Sequence, residues 1–231
     1  MTKHIGIVAC SAEGAVRCYT TICVNGSRHL GPHAHPEVSM HTHSLAEYVA
    51  CLDRGDIEGI GNLMLSSAAK LRAAGAEFLI CPDNTIHQAM DYVAPRSPLP
   101  WLHIVDVVAA EAAARGYRRL GLLGTRWLVE SDIYPEKLRA HKIEYIRPAP
   151  AERERLSEII MTELVAGVFG SESTAYCEGI IARLKCEREC DAVVLACTEL
   201  PLILSEANSA LPTLDSTQLL ARAALERAMS G

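Results

Sequence analysis

Aromatic bulk is scarce in this chain: 231 residues include only two Phe and two Trp, so its cores must be built from Leu, Ile, Val and Ala. There is no Lys/Arg-rich stripe, and 22 basic against 28 acidic side chains leave a formal net charge of −6. That balance argues against nucleic acid and anionic membrane as main partners. No apolar run reaches the roughly 20 residues that a spanning helix needs. The opening "MTKHIGIVAC" lacks the layout of a signal peptide. Cysteine, by contrast, is plentiful, with nine residues: Cys10, Cys18, Cys23, Cys51, Cys81, Cys177, Cys186, Cys190 and Cys197. An odd count, several of them within apolar runs, fits free thiols in a reducing compartment. The expectation is a cytoplasmic protein.

Short apolar runs alternate with amphipathic stretches. "HIGIVA" (4–9), "EFLICP" (77–82), "LHIVDV" (102–107), "RLGLLG" (119–124), "DAVVLA" (191–196) and "LPTLDS" (211–216) read as buried strands. Segments 56–76, 151–167 and 171–187 carry helical periodicity, the last opening on a serine cap, and "STQLLARAALERAM" reads as a final helix. Such alternation implies an α/β fold with parallel sheets covered by helices on both faces. The chain also looks doubled, since "GIVACSAE" and "GLLGTRWLVE" each run from a strand through small residues toward a helix. The expected architecture is two pseudo-symmetric lobes, each a mostly parallel sheet flanked by helices, with the active site in the cleft between them. Residues 1–97 plus 216–231 are assigned to the first lobe and 98–215 to the second, with the Pro-rich "APRSPLPW" (94–101) as the crossover.

Two strand ends carry unusual chemistry. "EFLICPDNTIH" runs into Asp83, Asn84, Thr85 and His87, and "DAVVLACTELP" runs into Cys197, Thr198 and Glu199. Moving a proton at a carbon beside a carboxylate takes a base on one face and an acid on the other. A thiolate suits the first task when a helix N-terminus or backbone N–H groups stabilise it, and a helix over about 199–206 is expected to do so for Cys197. Asn84, Thr85 and Thr198, with freed backbone N–H groups, form a cradle for a substrate carboxylate. Glu199 is read either as part of that cradle or as a first-turn dipole partner. Ser11, after the first strand, and Thr125, in the matching turn of the second half, are further carboxylate donors. Taken singly, each of these residues is as readily a cap, an Asx turn or core packing; their joint occurrence at both strand ends carries the functional reading.

"DNTIH" and "ACTEL", together with "GTRW" (124–127), "SEIIMTELVAGVFGSES" (157–173) and "PTLDSTQLLARAAL" (212–225), resemble the aspartate/glutamate racemase superfamily over essentially the whole chain. The resemblance implies two α/β lobes, often a homodimer, and acid–base catalysis by a pair of cysteines without pyridoxal phosphate, other cofactor or metal. It casts Cys197 as one catalytic group and puts Asp83 where the other cysteine usually stands. An acid opposite a thiol makes the proton relay asymmetric. Cys81, two residues earlier, is an alternative thiol. Relatives carry cationic groups for a distal carboxylate where this chain has Tyr48, Leu52 and Ala166, which implies a less acidic substrate side chain unless Arg17, Arg54, His41 or His43 compensates.

Five histidines crowd "SRHLGPHAHPEVSMHTHS". A metal site is one reading; a polar loop leading into a strand whose end carries His41 and His43 is preferred. His87 is read as orienting Asp83, or as a surface group or a support behind the site. The expected function is a cofactor-independent amino-acid racemase acting on a small carboxylate substrate. The alternatives are a one-thiol decarboxylase or isomerase of the same superfamily, a non-catalytic small-molecule sensor, and a metal hydrolase built on the histidines.

Overall fold

In the computed structural model residues 2–230 are described, and they divide into two compact units. One comprises the chain up to Val107 together with the segment from Thr217 on; the other is Val108–Ser216.

The first unit contains β1 (Ile5–Ala9), α1 (Ala12–Leu30), β2 (Val38–Thr42), α2 (Leu45–Arg54), α3 (Ile57–Ala73), β3 (Phe78–Ile80), α4 (Met90–Val93) and β4 (Trp101–Leu102). α5 (Ile104–Ala114) carries the chain across the first division. The second unit continues with β5 (Arg119–Leu123), α6 (Arg126–Val129), α7 (Ile133–Ala140), β6 (Glu144–Ile146), α8 (Pro150–Glu158), α9 (Ser171–Arg188), β7 (Ala192–Leu195) and β8 (Thr213–Asp215). α10 (Ser216–Met229) returns the chain to the first unit.

Each unit holds a four-stranded sheet, ordered β2-β1-β3-β4 in the first and β6-β5-β7-β8 in the second. Every pairing is parallel. The same strand order appears twice, so the doubling read from the sequence is a doubling of topology. Parallel strands between helical layers are buried on both faces, which is why β1 and β7 are buried along their whole length. Helices approach the sheets closely: a Cβ on Gly6 would meet Leu71 Cβ of α3 at 3.3 Å, and one on Gly121 would meet Leu184 Cδ1 of α9 at 2.8 Å. Each unit has its own aliphatic core, one around Val8, Met64, Leu71 and Leu79, the other around Leu123, Ile160, Ile181 and Val193.

Several local expectations change. "LHIVDV" is not a strand: only Trp101–Leu102 is extended, and Ile104 onward is helical. Ile104, Val105, Val108, Ala109 and Ala112 are all buried, a helical face that reads as a strand in a short window because an apolar run alone does not separate the two. Gly170, not a serine, caps α9. Segment 151–167 begins as α8, loosens into a π turn at Ile159–Glu163 and a 3-10 turn at Leu164–Ala166, then stops at Gly167, where φ is +76°. β6 has no counterpart among the strands expected from the sequence.

Candidate active site

β3 and β7 hold the same interior place in their respective sheets, third in order, and each ends in one of the two polar clusters. β1 and β5 lie beside them and, being parallel, end on the same edge. Each unit therefore gathers two chain turns at its carboxyl edge: Ser11 and Asp83–His87 in the first, Thr125 and Cys197–Glu199 in the second.

In the first unit Ser11 caps α1, its Oγ accepting the Gly14 N–H at 3.3 Å. Asp83 is partly exposed, and its Oδ1 accepts the Ile86 N–H at 3.2 Å. That bond ties down the start of a 3-10 turn, Thr85–Ala89, that runs straight on into α4. Asn84 and Thr85 are buried at the same turn, with the Thr85 carbonyl accepting from Gln88 Nε2 at 3.0 Å. His87 is not a surface group. It is buried, with Nδ1 2.7 Å from the Asp83 carbonyl oxygen and Nε2 facing the Ile104 N–H at 3.5 Å. A carbonyl only accepts and an amide N–H only donates, so the imidazole is neutral with its hydrogen on Nδ1. It pins the backbone that presents Asp83.

Cys81 is wholly buried in the core with Val8, Cys10 and Tyr48. Burial, and then the charge of Asp83, push its thiol well above the ordinary cysteine range. It stays protonated and inert, which removes it as an alternative base. His41 and His43 stand at the end of β2, rings 4.9 Å apart, with His41 Nδ1 on Ser67 Oγ at 3.0 Å and His43 Nε2 on Ser66 Oγ at 3.1 Å. His33 and His35 line a shallow depression with Cys23 and Pro32 instead.

In the second unit Thr125 is buried at the start of α6. Cys197 lies two residues beyond β7. The helix expected over about 199–206 is a single 3-10 turn, Leu200–Leu202, after which the Asn208 side chain takes the Ser205 N–H and donates to the Ile203 carbonyl. The support for the thiol comes from a side chain: Cys197 Sγ donates to Glu199 Oε2 at 3.0 Å, and Thr198 Oγ1 donates to the same oxygen at 2.6 Å. Glu199 and Thr198 are buried while Cys197 is partly exposed. An acceptor two residues after a thiol, where the chain leaves its strand and turns, is the sequence signal for this pairing. A carboxylate so placed can exchange a proton with the thiol.

The family profile for Asp/Glu/Hydantoin racemase matches residues 7–224. The chain belongs to that racemase family. It is 24% identical over 169 residues to the broad specificity amino-acid racemase RacX of Bacillus subtilis, a match covering 72% of this chain and 71% of that one. A structure from Pyrococcus horikoshii, an aspartate racemase homologue, superposes with a TM-score of 0.85 at 27% identity, over 99% of this chain and 100% of that one. One from Yersinia pestis, provisionally assigned as an Asp/Glu racemase, gives 0.89 at 28% identity, over 98% and 99%. Within this racemase family the doubled α/β architecture is the shared frame. No helix among the described residues is long and apolar enough to cross a membrane.

Proposed function

We propose that the chain is a cofactor-independent amino-acid racemase or epimerase in which Cys197 and Asp83 serve opposite faces of one substrate α-carbon. In one direction the Cys197 thiolate takes the α-hydrogen, the electron pair delocalises into the substrate carboxylate, and the Asp83 carboxylic acid protonates the other face. In the reverse direction the Asp83 carboxylate takes the hydrogen and the Cys197 thiol returns one. Asn84, Thr85, Thr198, Ser11 and Thr125 hold the carboxylate, whose negative charge grows as the α-hydrogen leaves. Glu199 is assigned to Cys197 rather than to substrate: its carboxylate receives the thiol proton and so generates the nucleophilic sulfur.

The observation that carries this reading is the partly exposed thiol bonded to a buried carboxylate at a strand end, in a chain of the racemase family. A neutral side chain is the proposed substrate preference, since the resemblance puts Tyr48 and Ala166 where relatives carry a cation for an acidic distal group. The likeness to a racemase named for broad specificity agrees with it. The assembly is proposed to be a homodimer.

Loss of optical rotation from single enantiomers of a panel of amino acids, without pyridoxal phosphate, tests the function. Neutral substrates are expected to racemise faster than aspartate and glutamate; the reverse order would remove the substrate assignment, and no racemisation of any of them would remove the function. A one-thiol decarboxylase is the second reading, favoured by the burial of Cys81, which leaves Cys197 as the one accessible thiol of the two signatures. Carbon dioxide release from a substituted malonate would decide for it.

A further inference from the structure

Tyr48 lies on α2 without measurable exposure, packed with Cys10, Cys51, Cys81 and Ile86. Its hydroxyl has no hydrogen-bond partner among the described residues. A phenylalanine would fill the same space without desolvating an oxygen, so the hydroxyl asks for an explanation. One neighbour is Asp83, which together with Cys81 and Cys10 electrostatically opposes loss of the phenolic proton, after burial itself. Ile86, in the same cluster, is the residue whose N–H binds the Asp83 carboxyl. Tyr48 thus sits beneath the turn that presents the proposed acid.

On its other side is Ser67 of α3, wholly buried and close enough to favour the phenolate, though short of hydrogen-bond geometry. From Ser67 a line of donors runs outward. His41 Nδ1 meets Ser67 Oγ at 3.0 Å, and the exposed Lys70 meets His41 Nε2 at 3.0 Å. An ammonium only donates, so His41 accepts at Nε2 and carries its hydrogen on Nδ1. Desolvation, with Lys70 and His43 nearby, keeps that imidazole neutral. Ser67 therefore receives from His41, and its own hydrogen is free to be passed farther inward. Both bonds point from solvent toward Tyr48.

We propose that Lys70, His41, Ser67 and Tyr48 form a proton path between solvent and Asp83, with bridging water completing the contacts at the Tyr48 hydroxyl. Each transfer breaks one bond to hydrogen and makes the next. Lys70 gives a proton to His41 Nε2 as Nδ1–H passes to Ser67; Ser67 passes one to Tyr48; Tyr48 passes one to the Asp83 carboxylate. Lys70 then recovers its proton from solvent. This inference rests on the racemase reading for its purpose. After one turnover an acid–thiol pair is left as carboxylate and thiol, and because the two groups differ in proton affinity, the starting state returns fastest through an external proton source.

The test uses the full chain with Tyr48→Phe and Ser67→Ala. In the protein alone, carboxyl carbon NMR follows the Asp83 titration. Tyr48→Phe removes the water-bridged donor that the path places on the carboxylate, and its midpoint is expected to rise by about half a pH unit or more. In turnover, both variants are expected to lower kcat roughly tenfold in the direction that consumes the Asp83 proton, at the low end of proton-transfer contributions, with KM unchanged. An unchanged Asp83 titration and unchanged kcat would make Tyr48 a space-filling residue and overturn the path. If the wild-type chain turns over no amino acid, the racemase reading fails while the Asp83 titration still decides the path. Should Tyr48→Phe fold poorly, Ser67→Ala carries both readouts.

Discussion

Replacing Glu199 by Gln separates a carboxylate that works on the Cys197 sulfur from one that merely holds the turn together. The side chains are nearly equal in volume, so packing at this buried position is preserved. Oε2 receives two hydrogen bonds, from Thr198 Oγ1 at 2.6 Å and Cys197 Sγ at 3.0 Å. In the Glu199→Gln variant the amide oxygen can keep the Thr198 bond, but as a neutral acceptor. Exchanging charge-assisted for neutral bonds costs about 1–2 kcal/mol of stability. A general base contributes about 10²- to 10⁴-fold in rate, equivalent to roughly 3–5 kcal/mol. The rate effect therefore exceeds the stability effect severalfold if Glu199 accepts the thiol proton. Racemisation by the variant should fall by at least about a hundredfold, while its urea midpoint moves only modestly. Iodoacetamide labelling of Cys197 at neutral pH should slow in parallel, for want of an acceptor. A variant that loses less than about tenfold in activity while losing the full stability cost would show that Glu199 is a structural cap and not a base.

Other perturbations follow from the same geometry. The buried Cys177 thiol is pushed up to about 12, first by desolvation and then by Glu163 and Glu178. Its folded-state value lies above the unfolded one, so the associated stability is fully present below about pH 9 and is lost as pH climbs toward 12. The full contribution is about 4 kcal/mol. Cys177→Ala should flatten the alkaline limb of a denaturation series, and an unchanged limb would contradict the assignment. His87→Leu strips the Asp83 carbonyl of its donor at about 1–3 kcal/mol; lowered thermal stability with a larger loss in kcat is expected, and wild-type kcat would refute its role in holding Asp83. Gly6→Ala should destabilise more than Gly121→Ala in thermal melts. Its added methyl meets Leu79, Ala76 and Leu71 within 3.3 Å, whereas the other presses mainly on the end of the Leu184 side chain.

The larger pattern was legible because burial on both faces forces parallel strands into short apolar runs: β1, β3, β5, β7 and β8 all lie within segments read as strands. α5 reads as a strand in the sequence because a helix buried along one face shows the same run of apolar residues, and no turn signal separates it from Leu102. β6 is three residues long with an exposed first residue, too brief to leave a period. At the site, Asp83 and Cys197 stood out through residue type and position. The Glu199–Cys197 bond depends on how the chain turns after Ala196, which periodicity does not encode. In place of the expected helix over about 199–206 there is one tight turn, since Asn208 binds the backbone at Ser205 and Ile203, and the carboxylate of Glu199 meets the thiol instead. Cys81 shares strand alternation with Asp83, yet lies one step deeper and is sealed in the core. Tyr48 was visible only as the lack of a cation; its buried hydroxyl emerges from the packing of α2 against α3.

Exchange of the substrate α-hydrogen with solvent tests the acid–base pair most directly. A single enantiomer of a neutral amino acid is incubated in deuterium oxide, and its α-proton signal is followed by NMR with the wild-type chain, Cys197→Ser and Asp83→Asn. The account predicts deuterium in both product and recovered substrate with the wild type. It further predicts near-complete loss of exchange with Cys197→Ser, and with Asp83→Asn exchange into the starting hand without inversion. Undiminished exchange and inversion with either variant would contradict the account.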